Sequence, residues 1–251
     1  MDWARFTLFL YILMRMSGFI FFSPVFGRQS VPAMVRAGLT LVLGIAVVSF
    51  QPGGAAVPAG LLEFGFRLFL ELGVGYLLGL VMHLFFYIPL LAGESIDLQM
   101  GMTMAKTYDA GSQVSVSVTS TVLTVLMFLL FFSANGHLTL LRILLTSGSV
   151  VPYGQAALGG GAAEAVVEIF LSCTVLAVKL ALPILAAELI GQIGMGILMK
   201  VIPQINVFAI NIELKVIIGL LLLLILISPI SSFLLDVENQ MLAVLRQVLS
   251  A

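Results

Sequence analysis

The sequence predicts an all-α integral membrane protein, and three observations carry that prediction. Of 251 residues, 61% are apolar and only 9% are charged, and mean hydropathy is +1.20, too apolar for an ordinary soluble domain. The apolar residues gather into six runs, at about 6–23, 37–50, 64–88, 119–146, 165–192 and 214–235. No run alternates with period two. In lipid the backbone must satisfy its own hydrogen bonds, so each run is read as helix.

Composition also excludes several functions. A net charge of −1 offers no attraction to nucleic acid or to an anionic lipid surface. Cys173 is the single cysteine, so no intramolecular disulfide can form, and its apolar setting makes it a small buried hydrophobe. His83 and His137 have no Cys or carboxylate at metal-ligand spacing, so no metal site is expected. GxSxG, HExxH and phosphate-binding glycine loops are missing, so neither an enzyme nor a cofactor is expected. Asp2 precedes the first apolar run and Arg15 interrupts it, without a small-residue cleavage site, so no cleavable signal is expected there.

Taken in order, the first run holds Arg15, which either pairs with a carboxylate of a neighbouring subunit or snorkels to an interface. The second is short, bounded by Arg36 and by Gln51-Pro52-Gly53-Gly54. Its fourteen residues would reach about 21 Å, against a hydrocarbon core of roughly 30 Å. In the third, Glu63, Arg67, Glu71, Gly75, Gly79 and His83 recur every four residues. The charged part can pair locally, and the two glycines continue it as a small-xxx-small surface for a neighbouring helix. That packing stripe is preferred over a proton or ion relay, which would not need the glycines.

Next comes a polar island, Gly93 to Ser117, with three methionines (Met100, Met102, Met104) among Ser, Thr and charged residues. It reads as a flexible segment facing water, a pore or a partner. The fourth run leads into a glycine-rich stretch, Ser147 to Ala163, expected to be a linker or hinge. The fifth carries Glu168, Lys179 and Glu188. Each charge near the middle of a membrane helix costs about 2.5–3.5 kcal/mol, and fourteen Leu, Ile, Val and Phe residues contribute about 0.3–0.6 each. The sums nearly cancel, so this helix needs polar neighbours. Lys200 to Lys215 forms a polar tip, with a hairpin turn or a partner-docking site at Pro203, Gln204 and Asn206 as alternatives. Residues 216–235 form a charge-free run long enough to cross, with Pro229 as a kink or end. Pro24, Pro32, Pro89, Pro183 and Pro203 are likewise expected to end or bend helices.

Orientation signals are weak. With six segments, Arg5, Arg142 and Arg246 fall on one side and Arg28, Arg36, Lys106 and Lys200 on the other. Such a near-tie is no positive-inside bias and favours helices not laid across the bilayer in the ordinary way.

Three motifs in order carry a family resemblance over essentially the whole chain. Arg15-Met-Ser-Gly-Phe-Ile-Phe-Phe-Ser-Pro-Val-Phe-Gly-Arg-Gln-Ser-Val-Pro32 with Arg36 resembles the opening of the flagellar biosynthesis protein FliR family. Ala92-Gly-Glu-Ser-Ile-Asp-Leu-Gln-Met-Gly101 is similar to that family's motif before its mid-chain loop, and Val201-Ile-Pro-Gln-Ile-Asn-Val-Phe208 to its hairpin tip. The resemblance implies an inner-membrane subunit of the type III export apparatus of the flagellar basal body, acting with FliP-like, FliQ-like and FlhB-like partners on unfolded flagellar subunits. It further implies a FliP-like part at 1–146, including a polar loop at 93–118, a linker at 147–163 and a FliQ-like hairpin at 164–251. The injectisome protein of virulence secretion is the nearest relative of the family; the Phe26-Gly27 to Pro32 pattern leans flagellar.

A protein-conducting channel must open to an extended chain yet hold back ions. Methionine is apolar and adaptable, so Met100, Met102 and Met104 suit a seal that gates by dewetting. Gly101 and Gly111 would let the segment move aside, and Lys106 with Asp109 could latch it. The resemblance also implies a plug-forming loop here; a plain connecting loop is the alternative. A second function class is a small-solute or ion transporter using Glu94, Asp97, Lys179 and Glu188. It predicts two similar halves, and the polar island has no counterpart near residue 200.

Overall fold

The computed structural model describes residues 3–28, 30–50, 58, 60–102, 117–156, 160–201 and 207–250. Every regular element among them is an α-helix: α1 (Trp3–Phe22), α2 (Ala33–Phe50), α3 (Leu61–Met100), α4 (Val118–Ser133), α5 (Gly136–Val150), α6 (Gly160–Val201), α7 (Val207–Ile225) and α8 (Ile227–Ser250). The all-α class holds.

Three of these helices are long and apolar enough to cross a membrane, or up to five spans if each bent pair counts as one. At 1.5 Å per residue, the 40 residues of α3 and the 42 of α6 each extend about 60 Å, twice the thickness of a hydrocarbon core. Neither Pro89 nor Pro183 ends its helix: both lie inside these two, which run on well past them. Apolar surroundings explain the persistence: without water, a broken helix would leave backbone groups unsatisfied. Pro24 and Pro32 instead flank helices. α1 closes with Ser23 N–H donating to Phe19 O at 2.9 Å, and Val35 and Arg36 both donate to Pro32 O at the start of α2. α2 therefore begins earlier than expected. Its 18 residues reach about 27 Å, still a little short of a hydrocarbon core of roughly 30 Å.

Two of the six apolar runs are broken. α4 and α5 meet at 67°, around Asn135 at φ 59°, the one non-glycine residue with positive φ among those described. Asn tolerates that left-handed conformation, and the Asn135-Gly136 pair is a turn signal buried in an apolar run. α7 and α8 meet at 64°. The kink expected at Pro229 lies three residues earlier, at Leu226, because proline is tolerated in the first turn of the new helix.

The chain forms two units that interleave along the sequence: Met1–Phe85 with Asn135–Phe170 and Asn239–Ala251, and Phe86–Ala134 with Leu171–Glu238. In the first, α1 packs on α2 and on the first half of α3. Gly18 and Gly75 make the α1–α3 crossing: a Cβ on Gly18 would stand 2.4 Å from Leu72 O, and one on Gly75 2.1 Å from Arg15 O. Such close backbone approach is what small residues permit between apolar helices. Gly79 continues the contact against Phe22, whose ring meets Tyr76 edge-on at 4.7 Å. In the second unit, Phe86 packs on Phe128 and Phe131, over a core that includes Met127, Ala177 and Leu234.

Candidate functional site: two buried polar nodes and the roots of the polar segment

The polar island begins as helix. α3 runs on through Gly93 to Met100, so the expected loop starts eight residues later than the composition implies. Within that stretch Gly93 and Asp97 both meet the start of α4. Gly93 lies against the first turn of α4, where a Cβ would stand 2.2 Å from Ser120 Cα. One turn further on, Asp97 is 1% exposed. Its Oδ2 accepts from Ser117 Oγ at 2.5 Å and from Thr119 N at 3.3 Å. Ser117 is also the N-cap of α4, its hydroxyl accepting from Ser120 N at 3.2 Å. The carboxylate thus stands at the positive end of the α4 dipole.

Met100 ends α3 fully buried, its thioether methyl against Gly219 of α7, where a Cβ would stand 2.0 Å away. As placed, it packs two helices together. Gly101 follows with φ 79°, the left-handed conformation that closes a helix, and donates to Leu98 O at 3.2 Å. Met102 is half-buried. Met104, Lys106, Asp109 and Gly111 lie outside the described residues, as do Pro203, Gln204 and Asn206 at the hairpin tip. The polar segment therefore springs from two roots, the end of α3 and the cap of α4.

The first unit holds a buried ion pair. Arg15 of α1 donates from Nε to Glu71 Oε2 of α3 at 2.7 Å, both side chains 0% exposed. Neither expectation for Arg15 survives: it reaches a carboxylate of its own chain, not of a neighbour or an interface. Its Nη1 donates to Val151 O at 3.0 Å and to Ser147 Oγ at 3.4 Å, and its guanidinium covers the Tyr153 ring at 4.3 Å. Glu71 Oε1 accepts from Gly154 N at 2.7 Å, and Arg67 Nη1 donates to Gly154 O at 3.0 Å. Arg67 also pairs with Glu63, one turn back. Gly154, at φ 80°, is thus held by both its backbone groups, with the Tyr11 ring against the place a Cβ would take.

That geometry recasts the glycine-rich stretch. Ser147–Val150 is the last turn of α5, Gly160–Ala163 the first of α6, and Val151–Gly154 is a turn fastened by three charged side chains. Burial raises the pKa of the Tyr153 hydroxyl, with Ser147 and Arg15 pulling it partly back. A buried arginine needs this density of acceptors, because an unpaired charge in such a place is untenable.

Of the four groups a transporter would use, Glu94 and Lys179 are exposed while Asp97 and Glu188 are buried. Among the described residues, no group of three or more His, Cys, Asp or Glu could hold a metal ion. The residues missed from sequence are the partners: Ser117 and Thr119 for Asp97, Gly219 for Met100, and Val151 and Gly154 for Arg15 and Glu71. Only Ser117 carried a readable signal, a serine just before an apolar run.

Long apolar helices that satisfy buried charges through glycine-lined crossings define an all-α membrane protein. Sequence comparison narrows the class. The chain belongs to the FliR family, described as bacterial export proteins, family 1, which matches residues 6–241. Relatives include the flagellar biosynthetic protein FliR of Escherichia coli (strain K12), 29% identical over 251 residues that cover 97% of this chain and 93% of the relative. The FliR protein of Bacillus subtilis (strain 168) is 25% identical, covering 98% and 95%. That of Aquifex aeolicus (strain VF5) is 30% identical, covering 84% and 81%.

Proposed function

We propose that the chain is a subunit of the export gate of the flagellar type III secretion apparatus in the bacterial inner membrane, where it helps to form and plug a conduit for unfolded flagellar subunits. Its working partners are FliP-like and FliQ-like subunits in one hetero-oligomer, with an FlhB-like protein beside them. In this reading residues 1–146 form the FliP-like part, 147–163 the join and 164–251 the FliQ-like hairpin.

The observation that carries the reading is likeness along nearly the full length to relatives named as flagellar biosynthetic proteins. Those names also favour the flagellar over the injectisome system. Exposed surface supports a role in an assembly or in lipid: α6 presents Phe170, Leu171, Val175, Val178, Leu182 and Ile190 outward. Glu168 and Lys179 stand exposed on the same helix, where bare lipid would disfavour them. The plug is assigned to Met102, Met104, Lys106, Asp109 and Gly111, with Met100 and Gly101 as its foot. Pro203, Gln204 and Asn206 are assigned to partner docking.

Deleting Thr103–Ser115 and measuring potassium leak through the assembled complex tests the plug. Leak should rise well above wild type. An intact complex that leaks no more than wild type refutes the plug assignment.

A further inference from the structure

We infer that Asp97 is a positioning residue, whose carboxylate ties the cap of α4 to the last turn of α3 and so fixes the separation of the two roots of the polar segment. Its functional consequence rests on the plug reading above; the tie itself rests on geometry alone. Helix α4 already has its own cap, since Ser117 Oγ accepts from Ser120 N. Asp97 does something different. It takes the hydroxyl proton of that capping serine at 2.5 Å and a second backbone donor, Thr119 N, at 3.3 Å, from twenty and twenty-two residues away.

The approach is prepared by Gly93, since any side chain there would collide with the Ser120 backbone at 2.2 Å and hold the helices apart. The α3 side is secured independently. Met100, three residues beyond Asp97, is locked over Gly219, and Gly101 stops the helix at φ 79°. The carboxylate is used on one side only: Oδ1 is buried without a hydrogen-bond partner among the described residues. Burying half a carboxylate is costly, and the helix would be capped without it. What its removal would lose is the fixed join between the roots.

The test uses the full chain in the assembled membrane complex, with two readouts: amide hydrogen exchange at Thr119 and Ser120, and potassium leak. Asp97→Ala should speed exchange at these amides by roughly tenfold or more and raise leak toward that of the Thr103–Ser115 deletion. Asp97→Asn keeps an acceptor for both donors and should stay near wild type in both readouts. Combining Asp97→Ala with the deletion should leak no more than the deletion alone. Unchanged exchange in Asp97→Ala overturns the tie. Faster exchange with wild-type leak, in a complex whose deletion variant does leak, overturns the positioning role and leaves the plug standing. If the deletion itself fails to leak, the plug reading falls, and exchange still decides whether Asp97 holds α4. Should Asp97→Ala fail to assemble, Ser117→Ala removes the same donor and is read by leak and Thr119 exchange only, since it also removes the acceptor of Ser120 N; wild-type values in both overturn the role.

Discussion

The two units treat buried charge differently. In the first, Arg15 and Glu71 neutralise each other at 2.7 Å, and both also bind the backbone of the Val151–Gly154 turn. In the second, the buried acids Asp97, Glu188 and Glu238 each keep one carboxylate oxygen without a hydrogen-bond partner among the described residues. The Arg15–Glu71 node is neutral as a pair, although Arg15 Nη2 has no hydrogen-bond partner among the described residues, and removing either member leaves an uncompensated charge. A half-paired acid holds its neighbours less firmly. The first unit thus has the character of a fixed frame, and the second unit contains both roots of the polar segment.

That contrast can be broken most forcefully at the frame. Arg15→Ala should destabilise by about 3–5 kcal/mol, read as loss of folded chain in membranes or a lowered unfolding temperature in detergent. The Arg15→Met, Glu71→Leu pair should recover much of the loss, since a charge-free apolar core costs less than a stranded carboxylate. Equal damage from both variants would mean that the ion pair is not what holds the turn. Gly75→Ala comes next, at about 1–3 kcal/mol or more, because the new methyl meets the α1 backbone at Arg15 O, which cannot swing away. Gly219→Ala sharpens the comparison in the second unit. The methyl there meets the flexible end of Met100, so the same unfolding measurement should show a loss of only about 1 kcal/mol. Smallest of all, Lys179→Leu on the exposed face of α6 should shift the stability of the isolated chain by no more than about 0.5 kcal/mol.

The helical class and all six apolar runs were legible in the sequence because hydrophobic length is a property of the local chain. Two breaks were not read correctly. Apolar neighbours hide the Asn135-Gly136 bend, and Pro229 points to a bend three residues beyond the one at Leu226. The polar island misled for the opposite reason: Gly93–Met100 looks like loop by composition but is helical, with Asp97 finding its donors across twenty residues. Arg15 was conspicuous, and so was Glu71, yet pairing over fifty-six positions leaves no periodic trace. Ser147–Ala163 shows the same limit, since glycine content announces a turn but not the charges that fasten it.

The most direct measurement of the central claim is to solubilise membranes in mild detergent and isolate the tagged chain at its native expression level. The account predicts that it emerges in a complex with FliP-like and FliQ-like subunits. A lone monomer that by itself carries a small solute across liposomes would contradict it.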